Sequence, residues 1–325
     1  MNTTSDPRAE QLHTWINSFF DVVDDSFSSV SGDASFRRYF RFTAKNELGL
    51  DEVSLIAVDA PPEHENIQPF IDIALLLADH NLPAPRIYLA SEEEGFYVQQ
   101  DLGDQLLLGC LNNDNAEQYY KTAMSQIIVL QRVPASHLPK YDSALLQKEM
   151  ALFSDWYLGK HLCKKLTDDD NKQLAATFNT LEKNALEQAQ VFVHRDYHSR
   201  NLMLLEDEQL GIIDFQDAVF GPVTYDLVSL LRDCYISWPQ KDIDHWVSYF
   251  HQQLECDFSL SQFVRWFDLM GVQRHLKATG IFCRLNYRDG KSGYLNDIPR
   301  TLSYIKEVSH KYPELNYLNQ LVSSL

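Results

Sequence analysis

Three side chains between residues 194 and 214 have the types and spacing that phosphoryl-group chemistry would need. Asp196 follows a histidine and an arginine, Asn201 comes five positions later, and Asp214 ends a short apolar run. A carboxylate can accept the proton of an attacking hydroxyl, and carboxylate or carboxamide oxygens suit Mg²⁺. The segment 201–210 has the length and apolar character of one hairpin. The pattern therefore predicts a base and two metal ligands.

The spacing matches the catalytic loop of kinases, in which His-Arg-Asp is followed after four residues by Asn. Phosphoryl transfer depends mainly on positioning and on charge neutralisation, so it requires few protein groups. In this interpretation Asp196 is the catalytic base, and Asn201 and Asp214 hold magnesium. Each short motif also occurs by chance, but their order and their separation by one hairpin favour the catalytic interpretation.

The elements that must position these residues fall into two parts. Before residue 104, periodicity predicts a helix capped by Asp6, one internal helix, and five antiparallel strands at 26–30, 36–43, 53–58, 86–90 and 95–100. After the turn at 101–104, long helical patterns dominate. We therefore predict an α+β fold with two lobes. A small N-terminal nucleotide-binding lobe spans 1–103, and a larger, mainly helical catalytic and substrate-binding lobe spans 104–325.

Composition excludes several function classes. A formal net charge of −18 argues against a nucleic-acid partner, because such binding requires clustered Lys and Arg. The N-terminus lacks the features of a secretory signal, and no apolar run is long enough to span a bilayer, so we expect a cytoplasmic protein without a membrane partner. Five widely spaced cysteines without a CxxC pair predict reduced thiols. We expect the protein to be a monomer that binds a small-molecule substrate.

Several segments resemble the aminoglycoside phosphotransferase and choline kinase superfamily. The motif His194-x-Asp196-x-His198-x-x-Asn201 carries the second histidine that separates this group from protein kinases. Further segments resemble more closely the family of bacterial cell-wall-recycling kinases that phosphorylate N-acetylmuramate and N-acetylglucosamine at the anomeric carbon. These segments are Ser31–Phe40, Asp59–Pro62, Asp214–Ala218, Gly221–Asp226, Gln273–Lys277 and Arg288–Lys291. The likeness extends from about residue 8 to about residue 305.

The resemblance implies a protein-kinase-like fold and an anomeric sugar kinase of peptidoglycan recycling that uses ATP and Mg²⁺. We assign His194, His198 and Asp226 to structural support of the catalytic loop. A proton-transfer role for His198 would duplicate that of Asp196. Asp226 stands where a helix should begin, a position at which aspartate is favoured.

The nucleotide is expected to contact the N-terminal lobe at three places. The first is a tight turn between two predicted strands, formed by Ser31, Gly32, Asp33, Ala34 and Ser35. Its N–H groups can point at phosphates, although an ordinary hairpin turn is the alternative. The second is the next strand, where Arg37 and Arg38 lie on alternate faces, so that we expect one of them to reach the nucleotide. The third is the backbone of Gln99, Asp101 and Leu102, which is expected to face adenine.

The third strand lacks the lysine with which protein kinases hold the α- and β-phosphates. Arg37, Arg38 and Lys45 are candidates to replace it. The missing lysine keeps open a non-catalytic nucleotide-binding protein of the same fold, although the intact catalytic motif favours an enzyme. The acidic composition also leaves open a kinase for a cationic acceptor, such as an amino alcohol or an aminoglycoside.

Positive residues are concentrated between Arg265 and Arg300 in this otherwise acidic chain. Such a region suits an anionic group, and the lactyl carboxylate of N-acetylmuramate is one, whereas a solvated helix face is the alternative. We predict that Arg274, Trp156 and Asp217 contact the substrate. For Trp156 the alternative is a core position, and for Asp217 it is a surface turn.

Overall fold

The structure is a computed structural model of the 325-residue chain, and it describes residues 6–30, 36–45 and 51–325. The predicted phosphate loop, Ser31, Gly32, Asp33, Ala34 and Ser35, lies outside the described residues. The chain forms two compact units. Unit 1 contains Met1–Gln105 and Met203–Gln216, and unit 2 contains Leu106–Leu202 and Asp217–Leu325.

The strands of the described residues are β1 (Asp21–Val22), β2 (Ser28–Val30), β3 (Arg38–Lys45), β4 (Glu52–Asp59), β5 (Ile87–Ser91), β6 (Phe96–Gln100), β7 (Gln190–Val193), β8 (Leu202–Leu204), β9 (Leu210–Ile212) and β10 (Val219–Pro222). The α-helices are α1 (Pro7–Asn17), α2 (Gln68–Asp79), α3 (Leu107–Cys110), α4 (Ala116–Arg132), α5 (Ser143–Leu152), α6 (Asp168–Leu186), α7 (Tyr225–Leu231), α8 (Gln240–Gln253), α9 (Leu260–Asp289), α10 (Ile298–Ser309) and α11 (Asn316–Ser323). A π-helix, Phe153–His161, follows α5.

Unit 1 is built on an antiparallel sheet with the order β1-β3-β4-β6-β5, in which β2 also pairs with β3. The helix α1 starts as predicted, since the Asp6 side chain accepts the N–H of Ala9 at 3.1 Å. Its buried residues pack with alternate side chains of β3, β4 and β6 in a core of Leu12, Ile16, Phe40, Phe42, Ala44, Leu55, Ala57, Phe96 and Val98. The sheet has six strands rather than the predicted five, because the two-residue strand β1 is too short to show a periodic pattern.

The segment Met203–Gln216 belongs to unit 1, although its sequence position suggested the C-terminal lobe. Strands β8 and β9 form the predicted hairpin. Leu204 N donates to Gln105 O at 2.7 Å, and Ile212 N donates to Pro83 O at 2.8 Å. The Phe215 ring stacks on Phe70 at a centroid distance of 4.7 Å. These contacts hold the end of β9, and therefore Asp214, in unit 1.

Unit 2 is mainly helical, and its 30-residue helix α9 packs on α5, α6, α7, α10 and the π-helix. A side chain at Gly280 would place its Cβ 2.4 Å from Leu152 O, so glycine allows this close approach to the end of α5. The helix α9 ends at Gly290, which has a φ of 70°. Strand β7, which pairs antiparallel with the later strand β10, leads into the predicted catalytic loop.

The predicted α+β fold class, with a sheet-rich N-terminal part and a mostly helical remainder, is confirmed. All five cysteines are free thiols. Among the described residues, no helix combines the length and the apolar character needed to cross a membrane.

Candidate active site

The predicted catalytic loop leaves β7 at His194, and a buried carboxylate fixes its first residues. Asp226, in the first turn of α7, accepts the backbone N–H of His194 at 2.7 Å and that of Arg195 at 3.0 Å. Arg195 has a φ of 76°, a conformation that costs energy for a residue with a side chain. Burial raises the pKa of Asp226 to about 6, although the two N–H donors by themselves would lower it. The loop entrance is therefore held in one strained geometry.

Hydrogen bonds inside the loop hold the backbone of Asp196. Asn201 Nδ2 donates to Asp196 O at 2.9 Å, and Asn201 N donates to His198 O at 2.8 Å. Asp196 N donates to Nδ1 of the fully buried His194 at 3.3 Å. The four motif residues His194, Asp196, His198 and Asn201 thus form one compact loop.

The Asp196 side chain is 41% exposed, so its carboxylate remains accessible. Its Oδ1 lies 3.9 Å from Nη2 of Arg274, which is itself buried on α9. Burial alone would raise the pKa of Asp196, but the charges of Lys277 and Arg274 outweigh it and hold this pKa well below its ordinary value. The carboxylate is therefore ionised throughout the neutral pH range.

A group of buried polar side chains adjoins the loop through Arg195, and we call it the Glu149 cluster. Glu149 forms an ion pair with Arg195 and lies 3.2 Å from Lys277 Nζ. The cluster also contains Tyr141, which donates to Glu149, and Gln273, whose Nε2 lies 3.1 Å from Tyr141 Oη. Burial would raise the pKa of Glu149, but Lys277 and Arg195 lower it. Glu149 therefore stays ionised between two cations.

A second buried carboxylate anchors the middle of the loop. Asp233 accepts from Ser199 N at 3.0 Å and from Ser199 Oγ at 2.5 Å. The neighbouring His198 ring contacts Tyr235 edge-on at 5.1 Å, and its Nδ1 has no hydrogen-bond partner among the described residues. Burial lowers the pKa of His198 to about 4, so this ring is neutral at pH 7.

In unit 1, Asp214 lies two residues past the end of β9 and has a φ of 65°. Gln216 Nε2 donates to Asp214 Oδ1 at 2.8 Å, which orients the carboxylate. The adjacent Phe215 is fully buried and anchors the chain. As in the case of Arg195, a non-glycine residue occupies a left-handed conformation at a predicted site position, and such strain concentrates at functional sites.

Arg37 is the buried cation nearest in sequence to the predicted phosphate loop, with 6% exposure. Its Nη2 lies 3.2 Å from Glu65, and its guanidinium lies over the Phe70 ring at 5.7 Å. Burial alone would lower the pKa of Arg37. Its electrostatic interactions with Tyr97, Glu65 and Asp214 outweigh burial and raise this pKa. The other two candidate cations are paired elsewhere, Arg38 with Asp59 and Lys45 with Asp21.

The residues predicted to face adenine lie on β6 and just after it. Gln99 is buried, and its Oε1 has no hydrogen-bond partner within the described part of the chain. The Asp101 side chain binds Arg41 at 2.7 and 3.0 Å and accepts from Ser54 at 2.5 Å, so its carboxylate is occupied by structural contacts. Leu102 packs against Gly211 of the hairpin.

The predicted substrate contacts have three different environments, all in unit 2. Arg274 is buried beside Asp196, as described above. Trp156 is half-buried in the π-helix. The Asp217 side chain is exposed, while its backbone O accepts from Arg195 Nη1 at 3.2 Å.

The sequence interpretation missed Glu149, Asp233 and Lys277 as parts of the site. One signal for Glu149 was available, because it occupies a core position of α5 between the buried residues Leu146 and Met150. An acidic residue at a core position requires a buried partner. Its partners, however, come from residues 141, 195 and 277, whose proximity no local pattern encodes.

The side chains of Asn201 and Asp214, the two predicted metal ligands, end in oxygen atoms of the kind that Mg²⁺ binds. Within the described residues, no group of three or more His, Cys, Asp or Glu side chains could hold a metal ion. Mg²⁺ in phosphoryl-transfer sites usually needs only one or two protein ligands, because phosphates and water supply the others. A carboxylate such as that of Asp214 and a carboxamide such as that of Asn201 both offer oxygen donors of the type that Mg²⁺ binds.

Comparison with known proteins gives concordant results. The sequence pattern described as "Phosphotransferase enzyme family" matches residues 26–266. A Pseudomonas putida protein named N-acetylmuramate/N-acetylglucosamine kinase is 40% identical over 336 residues, which cover 98% of this chain and 97% of that one. A Pseudomonas aeruginosa protein of the same name is 40% identical over 338 residues, covering 99% and 98%.

Among solved structures, an ethanolamine kinase of Plasmodium vivax gives a TM-score of 0.65 at 12% identity, covering 93% of this chain and 96% of that one. This likeness shows a shared fold. The family match extends over most of the chain and includes every residue of the catalytic loop, which confirms the predicted resemblance. The chain belongs to the phosphotransferase enzyme family.

Proposed function

We propose that the protein is an ATP- and Mg²⁺-dependent kinase that phosphorylates the anomeric hydroxyl of N-acetylmuramate and N-acetylglucosamine in peptidoglycan recycling. The product is the sugar 1-phosphate. The observation that carries this proposal is the 40% identity, over nearly the whole of both chains, to a protein named for these two acceptors. The proposal includes a monomer in the cytoplasm, where ATP is available.

Asp196 is proposed to accept the proton of the anomeric hydroxyl. This hydroxyl is more acidic than that of an ordinary alcohol, so a carboxylate with a low pKa is still an adequate base. The hydrogen bond that Asp226 accepts from His194 N and the one that Asn201 donates to Asp196 O fix the loop backbone before substrate binds, which supports a positioning mechanism. Arg274 and Lys277 keep the carboxylate ionised, so every molecule starts with the base in its active form.

Asn201 and Asp214 are proposed to hold Mg²⁺, which supplies charge neutralisation at the phosphate oxygens when bound. Arg37 is proposed to bind the α- and β-phosphates in place of the missing lysine. Its burial, its ion pair with Glu65 and its electrostatic interaction with Asp214 support this role. The buried, unsatisfied Oε1 of Gln99 is an acceptor that a bound nucleotide could satisfy. The turn 31–35 completes the proposed nucleotide site.

The decisive experiment measures ADP release with Mg-ATP and each of four acceptors, N-acetylmuramate, N-acetylglucosamine, choline and kanamycin. We expect activity with the two amino sugars alone. The variant Asp196→Asn should lose turnover by about 10²- to 10⁴-fold, the range for general base catalysis, while Mg-ATP still raises its melting temperature. Asp169→Asn, which changes an exposed aspartate at the start of α6, is the matched control and should keep full activity.

The position of the phosphate is read from the product. Phosphorylation at the anomeric carbon removes the reducing end, so a reducing-sugar assay should lose signal in proportion to the ADP released. Activity with choline or kanamycin alone would replace the proposal by a kinase for another acceptor. A protein that binds Mg-ATP but releases no ADP with any of the four would point to the non-catalytic alternative.

A further inference from the structure

One arginine of α9 has different surroundings from the other cations of this helix. Each of the other four lies within 2.7–3.9 Å of a carboxylate, in the pairs Arg265–Glu314, Arg274–Asp196, Lys277–Glu149 and Arg288–Asp289. Arg284 forms no ion pair and no hydrogen bond with the residues that the structure describes. It is the cation of α9 that no carboxylate of the described residues pairs directly, although the charge of Asp289 acts on it from beyond ion-pair distance.

Arg284 is not an ordinary solvated surface arginine. It is half-buried, and its Nε is buried without an acceptor among the described residues. Burial and the neighbouring charge of Arg288 lower its pKa, so the surroundings oppose its cationic form. A guanidinium with a buried N–H group that has no acceptor is costly unless a ligand completes its hydrogen bonds.

The position of Arg284 relates it to the candidate active site. With 3.6 residues per turn, positions 274, 277, 281, 284 and 288 fall on one face of α9. Arg274 and Lys277, at the start of this series, are the cations of α9 that act on the Asp196 carboxylate. Arg284 lies two turns beyond Lys277, about 10 Å along the helix axis. A sugar whose anomeric hydroxyl is at Asp196 and whose substituent points along this face would approach Arg284.

Another arginine near the catalytic loop is less suited to bind an acceptor anion. The Arg200 guanidinium lies over the Tyr235 ring at 3.7 Å, so one of its faces is covered. It also interacts electrostatically with the carboxylate of Asp297. The two arginines differ in their contacts with aromatic rings, because Tyr235 covers one face of the Arg200 guanidinium and no ring of the described residues covers that of Arg284.

We propose that Arg284 binds the lactyl carboxylate of N-acetylmuramate and thereby determines the preference between the two amino-sugar acceptors. This inference rests on the proposed function. The planar guanidinium can form two parallel hydrogen bonds to a carboxylate. N-acetylglucosamine has a hydroxyl where N-acetylmuramate has the lactyl ether, so it brings no anion to Arg284. The two acceptors therefore form a matched pair that differs in the group to be tested.

The test compares kcat and KM for both sugars in the wild type, Arg284→Gln, Arg284→Lys and Arg288→Gln. Arg284→Gln should raise the KM for N-acetylmuramate about 10- to 100-fold, the loss expected for hydrogen bonds to a charged group, with little change in kcat. The kinetics with N-acetylglucosamine should be unchanged, which also shows that the variant is folded. Arg284→Lys keeps the charge but not the planar geometry, so it should recover part of the loss.

Arg288→Gln is the matched control. It removes the same charge from the same face of α9, but from an exposed residue that is already paired with Asp289. Its kinetics with both sugars should match those of the wild type. As a second measurement, rising ionic strength should increase the wild-type KM for N-acetylmuramate but not for N-acetylglucosamine, and this difference should disappear in Arg284→Gln.

The outcomes separate this inference from the function on which it rests. A wild-type protein that phosphorylates neither sugar overturns the proposed function and the inference together. A wild type active on both sugars overturns the inference alone in either of two cases. In the first, Arg284→Gln affects the two sugars equally or not at all. In the second, Arg288→Gln produces the same selective loss.

Discussion

Lys277 Nζ lies 3.2 Å from Glu149 Oε1, and both side chains are more than nine-tenths buried. Glu149 also binds Arg195, the strained residue that precedes Asp196. Lys277 in turn lowers the pKa of Asp196. One buried ion pair thus contributes both to the backbone geometry of the catalytic loop and to the charge state of its carboxylate.

Removing both members of this pair should cost less stability than the sum of the two single removals. Lys277→Met leaves Glu149 buried with one cation fewer, and Glu149→Gln leaves Lys277 and Arg195 without their anion. We expect each to lower the free energy of unfolding by about 3–5 kcal/mol. The double variant should lose clearly less than the sum of these two losses, because it leaves no uncompensated charge between the two positions. Urea unfolding of the four proteins measures this, and strictly additive losses would contradict it.

The same lysine should set the acid limit of activity. Asp196, the proposed base, can accept a proton only when it is ionised, and Lys277 favours the ionised form. Loss of that charge raises the pKa of Asp196, so kcat/KM should begin to fall at a higher pH in Lys277→Met than in the wild type. Arg265→Gln, on the same helix but paired with Glu314, should leave the acid limb of the pH profile in place. Coincident acid limbs for wild type and Lys277→Met would refute the electrostatic assignment.

Arg37 should matter for the nucleotide and not for the acceptor. In Arg37→Met the proposed phosphate-binding cation is lost, and we expect the KM for ATP to rise about tenfold or more, the loss typical of a hydrogen bond to a charged group. The KM for N-acetylglucosamine should stay near its wild-type value. Lys45→Met removes a charge from the exposed end of β3 and serves as the control. Equal effects of the two variants on the KM for ATP would show that bulk charge, and not Arg37, is responsible.

A buried histidine should make the protein less stable in acid. His275 is buried and its Nε2–H donates to Arg232 O, while burial and the charge of Arg274 lower its pKa to about 3, so the ring is neutral in the folded protein. The unfolded chain binds a proton near pH 6.5, which the folded chain does not. Stability from His275 is therefore present above pH 6.5 and is lost as the pH falls from about 6.5 towards 3, at up to about 1.4 kcal/mol per pH unit.

The variant His275→Gln tests this sign. Glutamine keeps a donor for Arg232 O, which lies 2.8 Å from His275 Nε2, but does not titrate. Its melting temperature should fall less steeply than that of the wild type between pH 6.5 and pH 4, even if the variant is less stable at pH 7. Parallel pH dependences would show that His275 does not cause the loss.

Gly280 should tolerate no side chain. A Cβ there would lie 2.3–2.5 Å from the carbonyl group and side chain of Leu152, so α9 and the end of α5 would have to separate. We expect Gly280→Ala to cost about 1–3 kcal/mol in the free energy of unfolding, the usual cost of overpacking, or more because the contact is with backbone. Gly109→Ala is the control, since nothing lies within 4 Å of its Cβ position. Equal urea midpoints for the two variants would rule out this steric constraint.

Sequence reasoning found the residues whose roles depend on local spacing. Asp196, Asn201 and Asp214 follow one another at short spacings around one hairpin, so a local pattern is enough to single them out. The Glu149 cluster was missed because its members are far apart in the chain and meet only through the packing of α5 and α9. The π-helix at Phe153–His161 was missed for a different reason. Its residues have ordinary helical propensities, and its widened turns arise in the folded protein, where Gly280 lets α9 approach the end of α5.

The discontinuity of unit 1 has a consequence for biosynthesis. A ribosome releases residues 1–105 before residues 106–202, yet the hairpin that completes unit 1 comes only with residues 203–216. Until then, Pro83 O and Gln105 O lack the backbone partners Ile212 N and Leu204 N, and Phe70 lacks the ring of Phe215. Unit 1 therefore lacks these contacts while about a hundred residues are made, and incomplete domains with exposed apolar surface favour aggregation. Chaperone dependence during translation should accordingly end once the hairpin has left the exit tunnel.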